Sequence, residues 1–307
     1  MNKTLDFCLV GAPKCGTTSL FNYLKPHPEV FLPKVKEPHY YCTDFPGYRR
    51  ITTSREYESI FARSLPGQKL GEASVFYLYS KDAVRNLIQE HPACKIVAIL
   101  RRPIEMLQSY HQQLTNGFRE TELDFEKAWQ LRHERSLGKN IPVNCLEASH
   151  LQYGEVARFG DQIERIYQFV PEQQVLVLFH EDLKTDTRGT YLKLLDFLEL
   201  SNDGRQHFPR FNESKAHRSR LISRLLMRPP YPLNHAKQWI KKQFNCHRSL
   251  LRPLYYGVLY RKEEKQPLSD AFVQSVMQAH EDDIRKLQSL TGRDLSHWLV
   301  PRKQRAA

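Results

Sequence analysis

The sequence predicts an α/β fold in which a mainly parallel central sheet is flanked by helices. Apolar runs at 7–10, 94–100 and 174–179 have the length and hydrophobicity of strands that are buried on both faces. Segments with helical spacing separate these runs, and this alternation is typical of parallel sheets. With 307 residues and no internal repeat, the chain is expected to bury its core as a single domain over 1–307.

The first element is a strand, a turn and a helix with the layout of a phosphate cradle. The apolar run 7–10 meets a glycine-bounded turn at 11–16, and a helix is predicted over 17–24. Turn amides, the positive end of the helix, its first hydroxyls and the Lys14 ammonium would then face one point. We therefore expect a P-loop-like sheet that binds an anion with several oxygens.

This cradle departs from a Walker A loop in the position of its lysine. Gly11 and Gly16 have the Walker spacing, but Thr17 stands where the lysine belongs, and the lysine lies inside the loop at Lys14. A P-loop phosphotransferase would also need an acidic magnesium ligand at a strand end, which the acidic pair 181–182 can supply. A kinase therefore stays an alternative.

Pro-Lys-x-Gly-Thr-Thr-Ser-Leu at 13–20 resembles the 5′-phosphosulfate loop of sulfotransferases that use 3′-phosphoadenosine 5′-phosphosulfate (PAPS). The resemblance is to carbohydrate-type and bacterial-type members and covers about 5–299. It implies transfer of a sulfuryl group to a hydroxyl or amine, release of 3′-phosphoadenosine 5′-phosphate (PAP), and no metal. Lys14 would stabilise the bridging oxygen as the 5′-phosphate leaves. The residues implied to bind the phosphosulfate are Lys14, Cys15, Gly16, Thr17, Thr18 and Ser19.

A second motif follows the first helix. Prolines bound the extended stretch 27–33, which leads into a loop that returns close to the cradle if the first helix is short. Lys-Glu-Pro-His-Tyr-Tyr at 36–41 resembles the family's Lys-Glu-x-His-Phe-Phe, with a tyrosine pair replacing the phenylalanines. The resemblance implies that Glu37 deprotonates the acceptor. His39 is the second candidate base because imidazole accepts a proton near neutral pH, and a surface pair of Glu37 with a neighbouring lysine is the alternative.

The segment 57–65 is predicted as a helix, and Leu-Gly-Glu-Ala-Ser at 70–74 as the next strand. Members of the family often have Gly-Glu-Ala/Lys-Ser/Thr-Pro-x-Tyr here, on the acceptor side. Val75 and Phe76 replace the usual residues, so the contributions of Glu72 and Ser74 are left open.

The strand 94–100 delivers Arg101 to the carboxyl edge of the sheet, where open α/β folds bind ligands. Pro103 suits the first turn of a helix that is predicted to run through Leu114. Ser109 follows Arg101 by eight positions, a spacing that resembles the family's 3′-phosphate motif. The resemblance implies that the Arg101 guanidinium and the Ser109 hydroxyl hold this phosphate, for which arginine offers a bidentate fork.

A weaker nucleotide contact is implied at Phe159. Relatives carry an Arg-Tyr segment here, and Phe159 can stack on a base but has no hydroxyl to donate. The strand end at 180–183 resembles the family's Tyr-Glu-Asp-Leu, and we interpret its acids as scaffold. The remaining helices are predicted at 123–137, 155–170, 191–198 and 270–290.

The segment 205–265 is strongly basic, with fifteen Lys and Arg against three acidic residues, and its excess equals the chain's net charge of +12. A basic face indicates a polyanionic acceptor, a nucleic acid or an anionic membrane, against the alternative of a solvated helical surface. Amphipathic pieces at 221–227 and 236–244 can lie on a membrane. The family has a basic loop over the nucleotide here, which implies Lys215 and Arg218, and 292–298 resembles its C-terminal signature.

The composition of the chain limits its expected location and partners. No run approaches the roughly 20 apolar residues of a membrane span, and no signal peptide is recognisable, so we expect a cytoplasmic protein with optional peripheral membrane contact. Six dispersed cysteines are expected as free thiols. The expected partners are PAPS and an acceptor such as a carbohydrate, a glycolipid or a small metabolite, without nucleic acid. A non-enzymatic polyanion-binding module is the other alternative, although it does not explain Lys14, Arg101 and Ser109 at strand ends.

Overall fold

The computed structural model describes residues 4–209, 211, 215–217, 260–262 and 266–300. The strands in this part of the chain are β1 (Phe7–Gly11), β2 (Val30–Phe31), β3 (Lys69–Ala73), β4 (Lys95–Leu100), β5 (Val175–Phe179), β6 (Lys215–His217) and β7 (Tyr260–Lys262). The first five form one sheet in the order β2-β3-β1-β4-β5, with every neighbouring pair parallel. The last two form an antiparallel pair.

Helices connect and flank the strands of the central sheet. In chain order they are α1 (Thr17–Leu24), α2 (Ser54–Ser59), α3 (Ala83–Glu90), α4 (Pro103–Asn116), α5 (Phe125–Gln130), α6 (Arg132–Ser136), α7 (Tyr153–Val156), α8 (Phe159–Tyr167), α9 (His180–Thr185), α10 (Thr187–Phe197), α11 (Asp270–Ala279) and α12 (Glu281–Thr291). The predicted α/β fold is confirmed. Within the described ranges no helix has both the length and the apolar character needed to cross a bilayer.

The central strands lie in a continuous core that extends from Leu5 to Trp298. Every residue of β1 is buried, and β4 is buried from its second residue onward, as their apolar sequences predict. Gly71 of β3 lies opposite Phe7 of β1, and a side chain at this position would overlap the Phe7 ring. The small residue therefore lets these two strands pair closely.

Three helices begin or end at residues other than the predicted ones, because local hydrogen bonds to the backbone set where they start and stop. The helix predicted at 57–65 is α2, which starts where the Thr53 hydroxyl accepts the Glu56 amide. The one predicted at 191–198 is α10, capped by Asp186 through the Gly189 amide. The one predicted at 123–137 is split into α5 and α6, where the Arg132 side chain donates to the Trp129 carbonyl at 2.7 Å.

Contacts with distant residues divide the other two long helices that the sequence predicts. The helix predicted at 155–170 is interrupted before α8, because the Asp283 carboxylate caps α8 by accepting the amides of Gly160 and Asp161. The helix predicted at 270–290 is divided into α11 and α12 at His280, whose ring nitrogens lie 2.7 and 3.0 Å from the carbonyl oxygens of Val276 and Gly154. Both breaks fasten the C-terminal helices to the region around α8.

The last described segment joins the end of β4. The Arg102 side chain donates from Nε to the Trp298 carbonyl at 3.2 Å and from its second amino group to the Val300 carbonyl. Trp298 is buried and packs its ring edge against Phe179 of β5. The segment 292–298, which resembles the family's C-terminal signature, therefore packs against the carboxyl ends of β4 and β5 through Trp298.

Candidate active site

The loop between β1 and α1 is a turn at the carboxyl edge of the sheet. The Ala12 amide donates to the Ile99 carbonyl of β4 at 2.8 Å, which holds the loop beside the neighbouring strand. Gly16 has a φ of 116°, and a Cβ there would lie 3.0 Å from Leu183 Cδ2. The left-handed conformation therefore favours glycine at the start of α1, and the Leu183 side chain packs closely on it.

The beginning of α1 is arranged to receive an anion. Gly16 supplies no side-chain cap, so the amides of Thr17 and Thr18 keep their donor capacity, whereas the Ser19 amide donates to the Gly16 carbonyl at 2.9 Å. The positive end of the helix dipole faces the loop. Thr17 is buried, Thr18 and Ser19 are half-buried, and Lys14 is half-buried at a φ of 61°. The predicted phosphate cradle is thus brought together in space.

Arg101 lies next to this cradle. β4 pairs with β1 and ends one residue before Arg101, and the positive charges of Arg101 and Lys14 both act on the Cys15 thiol. Burial nevertheless raises the pKa of Cys15 to about 12. Its thiol donates to the Pro13 carbonyl at 3.3 Å. Cys15 therefore shapes the loop as an inert thiol, with the charges of Lys14 and Arg101 both close to it.

The Arg101 guanidinium makes an ion pair that the sequence analysis missed. Its Nε and Nη2 donate to one carboxylate oxygen of Glu105 at 3.2 and 3.0 Å, one helical turn further along. This contact uses one edge of the guanidinium and leaves donors on the other edge for a phosphate. Ser109 follows on the same helix and is buried. The i,i+4 spacing of Arg101 and Glu105 is the feature of the sequence that could have predicted this ion pair.

His180 is a second residue that the sequence analysis passed over. It follows β5 directly, and its ring carbon Cδ2 lies 3.6 Å from the position of a Cβ on Gly16. Burial lowers the pKa of His180 to about 4, and the nearby Arg101 charge acts in the same direction. A neutral imidazole therefore borders the cradle. Its place at a strand end, like that of Arg101, was the signal available in the sequence.

The loop that carries Glu37 and His39 is fastened to the end of β3. The Glu37 amide donates to the Ala73 carbonyl at 2.9 Å, and the His39 amide donates to the Ser74 hydroxyl at 3.0 Å. Ala73 pairs in register with Leu9 of β1. The loop therefore returns to the edge of the sheet where the cradle lies, as predicted from a short first helix.

The side chains of Glu37 and His39 have different environments. Burial raises the pKa of the Glu37 carboxyl, but the Lys36 ammonium, 2.6 Å from its Oε1, reverses this effect and leaves the pKa below its usual value. His39 is almost fully enclosed by aromatic rings, including Tyr48 and Phe76, and burial lowers its pKa to about 4. At neutral pH the Glu37 carboxyl is therefore ionised and the His39 imidazole is neutral. The half-exposed Glu37 is the more accessible of the two.

The remaining sequence candidates are Phe159, Lys215 and Arg218. Phe159 is 1% exposed within the hydrophobic core, so its ring has no free face on which a base could stack. This burial corrects the expectation of stacking. Lys215 lies in β6, and Arg218 lies outside the described residues, as do the basic pieces 221–227 and 236–244.

The acids after β5 are used in ion pairs. Glu181 lies 2.8 Å from the His297 ring, and Asp182 receives a bond of 2.6 Å from Arg293. These carboxylates fasten the C-terminal segment, which disfavours them as magnesium ligands of a phosphotransferase. Among the described residues no group of three or more His, Cys, Asp or Glu side chains is placed to hold a metal ion.

Comparisons with known proteins agree with this geometry. The family model of the sulfotransferase domain matches residues 5–245. The chain is 25% identical over 244 residues to human carbohydrate sulfotransferase 15, covering 63% of this chain and 43% of that protein. It is 26% identical over 195 residues to human heparan sulfate glucosamine 3-O-sulfotransferase 6, covering 62% and 51%. The chain thus spans about half the length of these curated relatives.

A solved structure has a similar fold over nearly the whole chain. The crystal structure of a sulfotransferase from Alicyclobacillus acidocaldarius superposes with a TM-score of 0.69 at 22% sequence identity. The superposition covers 96% of this chain and 99% of that one. At this identity the likeness concerns the fold.

Proposed function

The chain belongs to the sulfotransferase domain family, and on that premise we propose that it transfers the sulfuryl group of PAPS to a hydroxyl or amine of an acceptor, releasing PAP. The observation that carries this proposal is the placement of Lys14, Arg101 and the uncapped start of α1 after the neighbouring strands β1 and β4. A donor with a phosphosulfate and a separate 3′-phosphate needs two anion sites of this kind.

In the proposed mechanism one loop binds the donor and a second loop deprotonates the acceptor. Thr17, Thr18 and the loop amides hold the phosphosulfate, and Lys14 stabilises the charge that develops on the bridging oxygen as the S–O bond breaks. Glu37 takes the acceptor proton while the acceptor oxygen or nitrogen attacks sulfur in line. The sulfuryl group thereby moves to the acceptor, and PAP leaves with its 5′-phosphate neutralised by the cradle. Arg101 and Ser109 hold the 3′-phosphate.

We propose a carbohydrate-containing acceptor, because the two human relatives are named for carbohydrate and heparan sulfate substrates. The basic segment 205–265 would attract an anionic acceptor or an anionic membrane surface. Radiolabelled PAPS offered with desulfated chondroitin, desulfated heparin, a galactosyl glycolipid, naphthol or a primary amine tests this choice. Label transferred only to naphthol would overturn the carbohydrate proposal.

The first prediction concerns the donor. PAP should raise the melting temperature in the presence of a chelator, because a ligand that binds only the native state stabilises it. Thermal unfolding is measured with PAP and, in parallel, with ATP and magnesium. Stabilisation by ATP with magnesium but not by PAP would support the phosphotransferase alternative and overturn the proposed donor.

The second prediction concerns the 3′-phosphate. Arg101→Ala removes charge-assisted hydrogen bonds and leaves the Glu105 carboxylate facing the anion, so PAP affinity should fall by about 2 kcal/mol or more, roughly 30-fold. Titration calorimetry measures the change. Arg285→Ala is the matched control, because Arg285 forms the same i,i+4 pair with Glu281 on α12. Equal PAP affinity in both variants would remove Arg101 from the site.

A further inference from the structure

We propose that Tyr77, held by the buried Glu72 carboxylate, is a positioning residue for the loop that carries Glu37 and His39. This inference rests on the proposed function, because it assigns the loop an acceptor-side role. It concerns residues whose contribution the sequence motif alone left open.

The loop is fastened by alternate residues. Besides the amides of Glu37 and His39, the amide of Tyr41 donates to the Tyr77 hydroxyl at 3.2 Å. All three acceptors belong to the short segment 73–77, which begins at the last residue of β3. The Tyr77 ring also packs edge-on against His39, with ring centroids 6.2 Å apart. Tyr77 therefore touches the loop at two points.

Glu72 fixes the direction of the hydrogen bonds through Tyr77. Its Oε2 accepts the Tyr77 hydroxyl at 3.3 Å and the Tyr57 hydroxyl at 2.6 Å, and the exposed fractions of Glu72 and Tyr77 are both 0%. A phenol has one proton, and an ionised carboxylate only accepts. When Tyr77 donates to Glu72, its oxygen is left to accept from the Tyr41 amide. The charge on Glu72 thus orients the bond that holds the loop.

The environment of Glu72 makes this charge sensitive to pH. Burial raises its pKa to about 7, although the hydroxyls of Ser74, Tyr57 and Tyr77 act in the opposite direction. The titratable groups that face it are Cys8, Tyr41, Cys42, Tyr57, Tyr77 and Cys94. None of these six groups is a cation. Protonation of Glu72 near neutral pH would end the fixed orientation of the Tyr77 hydroxyl and loosen the loop.

The decisive comparison is between Tyr77→Phe and Tyr57→Phe. Both variants keep the ring and lose a hydrogen bond to Glu72, but only Tyr77 also holds the Tyr41 amide. Hydrogen exchange at the Tyr41 amide should accelerate at least about tenfold in Tyr77→Phe, since an amide that loses its acceptor opens more readily. At a pH well above 7, where Glu72 is ionised in both variants, Tyr57→Phe, which loses the shorter bond, should exchange at the wild-type rate.

Exchange at the wild-type rate in Tyr77→Phe, or equal acceleration in both variants, would overturn the proposal. Turnover with the acceptor identified from radiolabelled PAPS should fall in Tyr77→Phe while the melting shift given by PAP is retained. A missing PAP shift in the wild type would instead contradict the proposed donor. The two failures are therefore distinguishable.

A pH series tests the part played by Glu72. Its folded pKa of about 7 exceeds the ordinary value of 4.5, so the folded state binds more protons between these values and stability falls as pH rises from about 4.5 to about 7. Glu72→Gln cannot titrate and should lack this component. In the wild type, hydrogen exchange at the Tyr41 amide, corrected for intrinsic rates, should slow as the pH rises through 7. In Glu72→Gln it should show no such change. Parallel profiles for the two proteins would contradict the role of Glu72.

Discussion

Replacement of Lys14 by Met should lower turnover by about 10²- to 10³-fold, because the loop loses the cation that faces the developing negative charge of the departing phosphate. Methionine keeps much of the length of the side chain and does not alter the glycines that set the turn. Transfer of radiolabelled sulfate to the identified acceptor measures the effect. Melting curves check that the variant folds.

Lys25→Met is the matched control for this prediction. Lys25 is exposed at the opposite end of α1, so its loss removes the same charge without changing the cradle. We expect wild-type turnover in this variant. If Lys14→Met also turned over at the wild-type rate, the cradle would be a binding site without a part in bond breaking.

Glu37→Gln should lower turnover by about 10²- to 10⁴-fold and leave PAP affinity near that of the wild type, because an amide cannot take the acceptor proton. The low pKa of Glu37 means that the base is ionised throughout the neutral range. Protonation of Glu37 itself should therefore lower turnover only in acid, as pH approaches or falls below the ordinary carboxyl value of 4.5. Single-turnover transfer and PAP calorimetry are measured on the same preparation.

Glu58→Gln on the exposed face of α2 provides the control for carboxylate removal. Full turnover in Glu37→Gln would transfer the proposed base role to His39. A low-pH limb alone does not separate the two candidates, because the pKa of His39 is also lowered, to about 4. Substitution is therefore the informative experiment.

The cradle could be predicted from the sequence because its determinants are adjacent in the chain. An apolar run, two glycines and a helix start specify β1, the turn and α1 without reference to any distant residue. Arg101 was predictable for the same reason, since it directly follows a recognisable strand. Short-range patterns therefore predicted the residues of the proposed donor site.

The acceptor side was less predictable because its geometry depends on residues far apart in sequence. The bonds from Glu37 and His39 to Ala73 and Ser74 join segments that periodicity does not connect. The interruption before α8 likewise depends on Asp283, 123 residues beyond Gly160. In contrast, Thr53 and the Glu three residues later had the spacing of a capping box, and this local signal for α2 was missed.

The attachment of Trp298 to Arg102 has a consequence for how the protein is made. Its two partners are 196 residues apart, so the central strands leave the ribosome long before the segment that closes their edge. A growing chain tends to fold from its N-terminus, but contacts of large sequence separation form late. The cradle can therefore assemble early, whereas the junction beside Arg101 is completed only after Trp298 has been made.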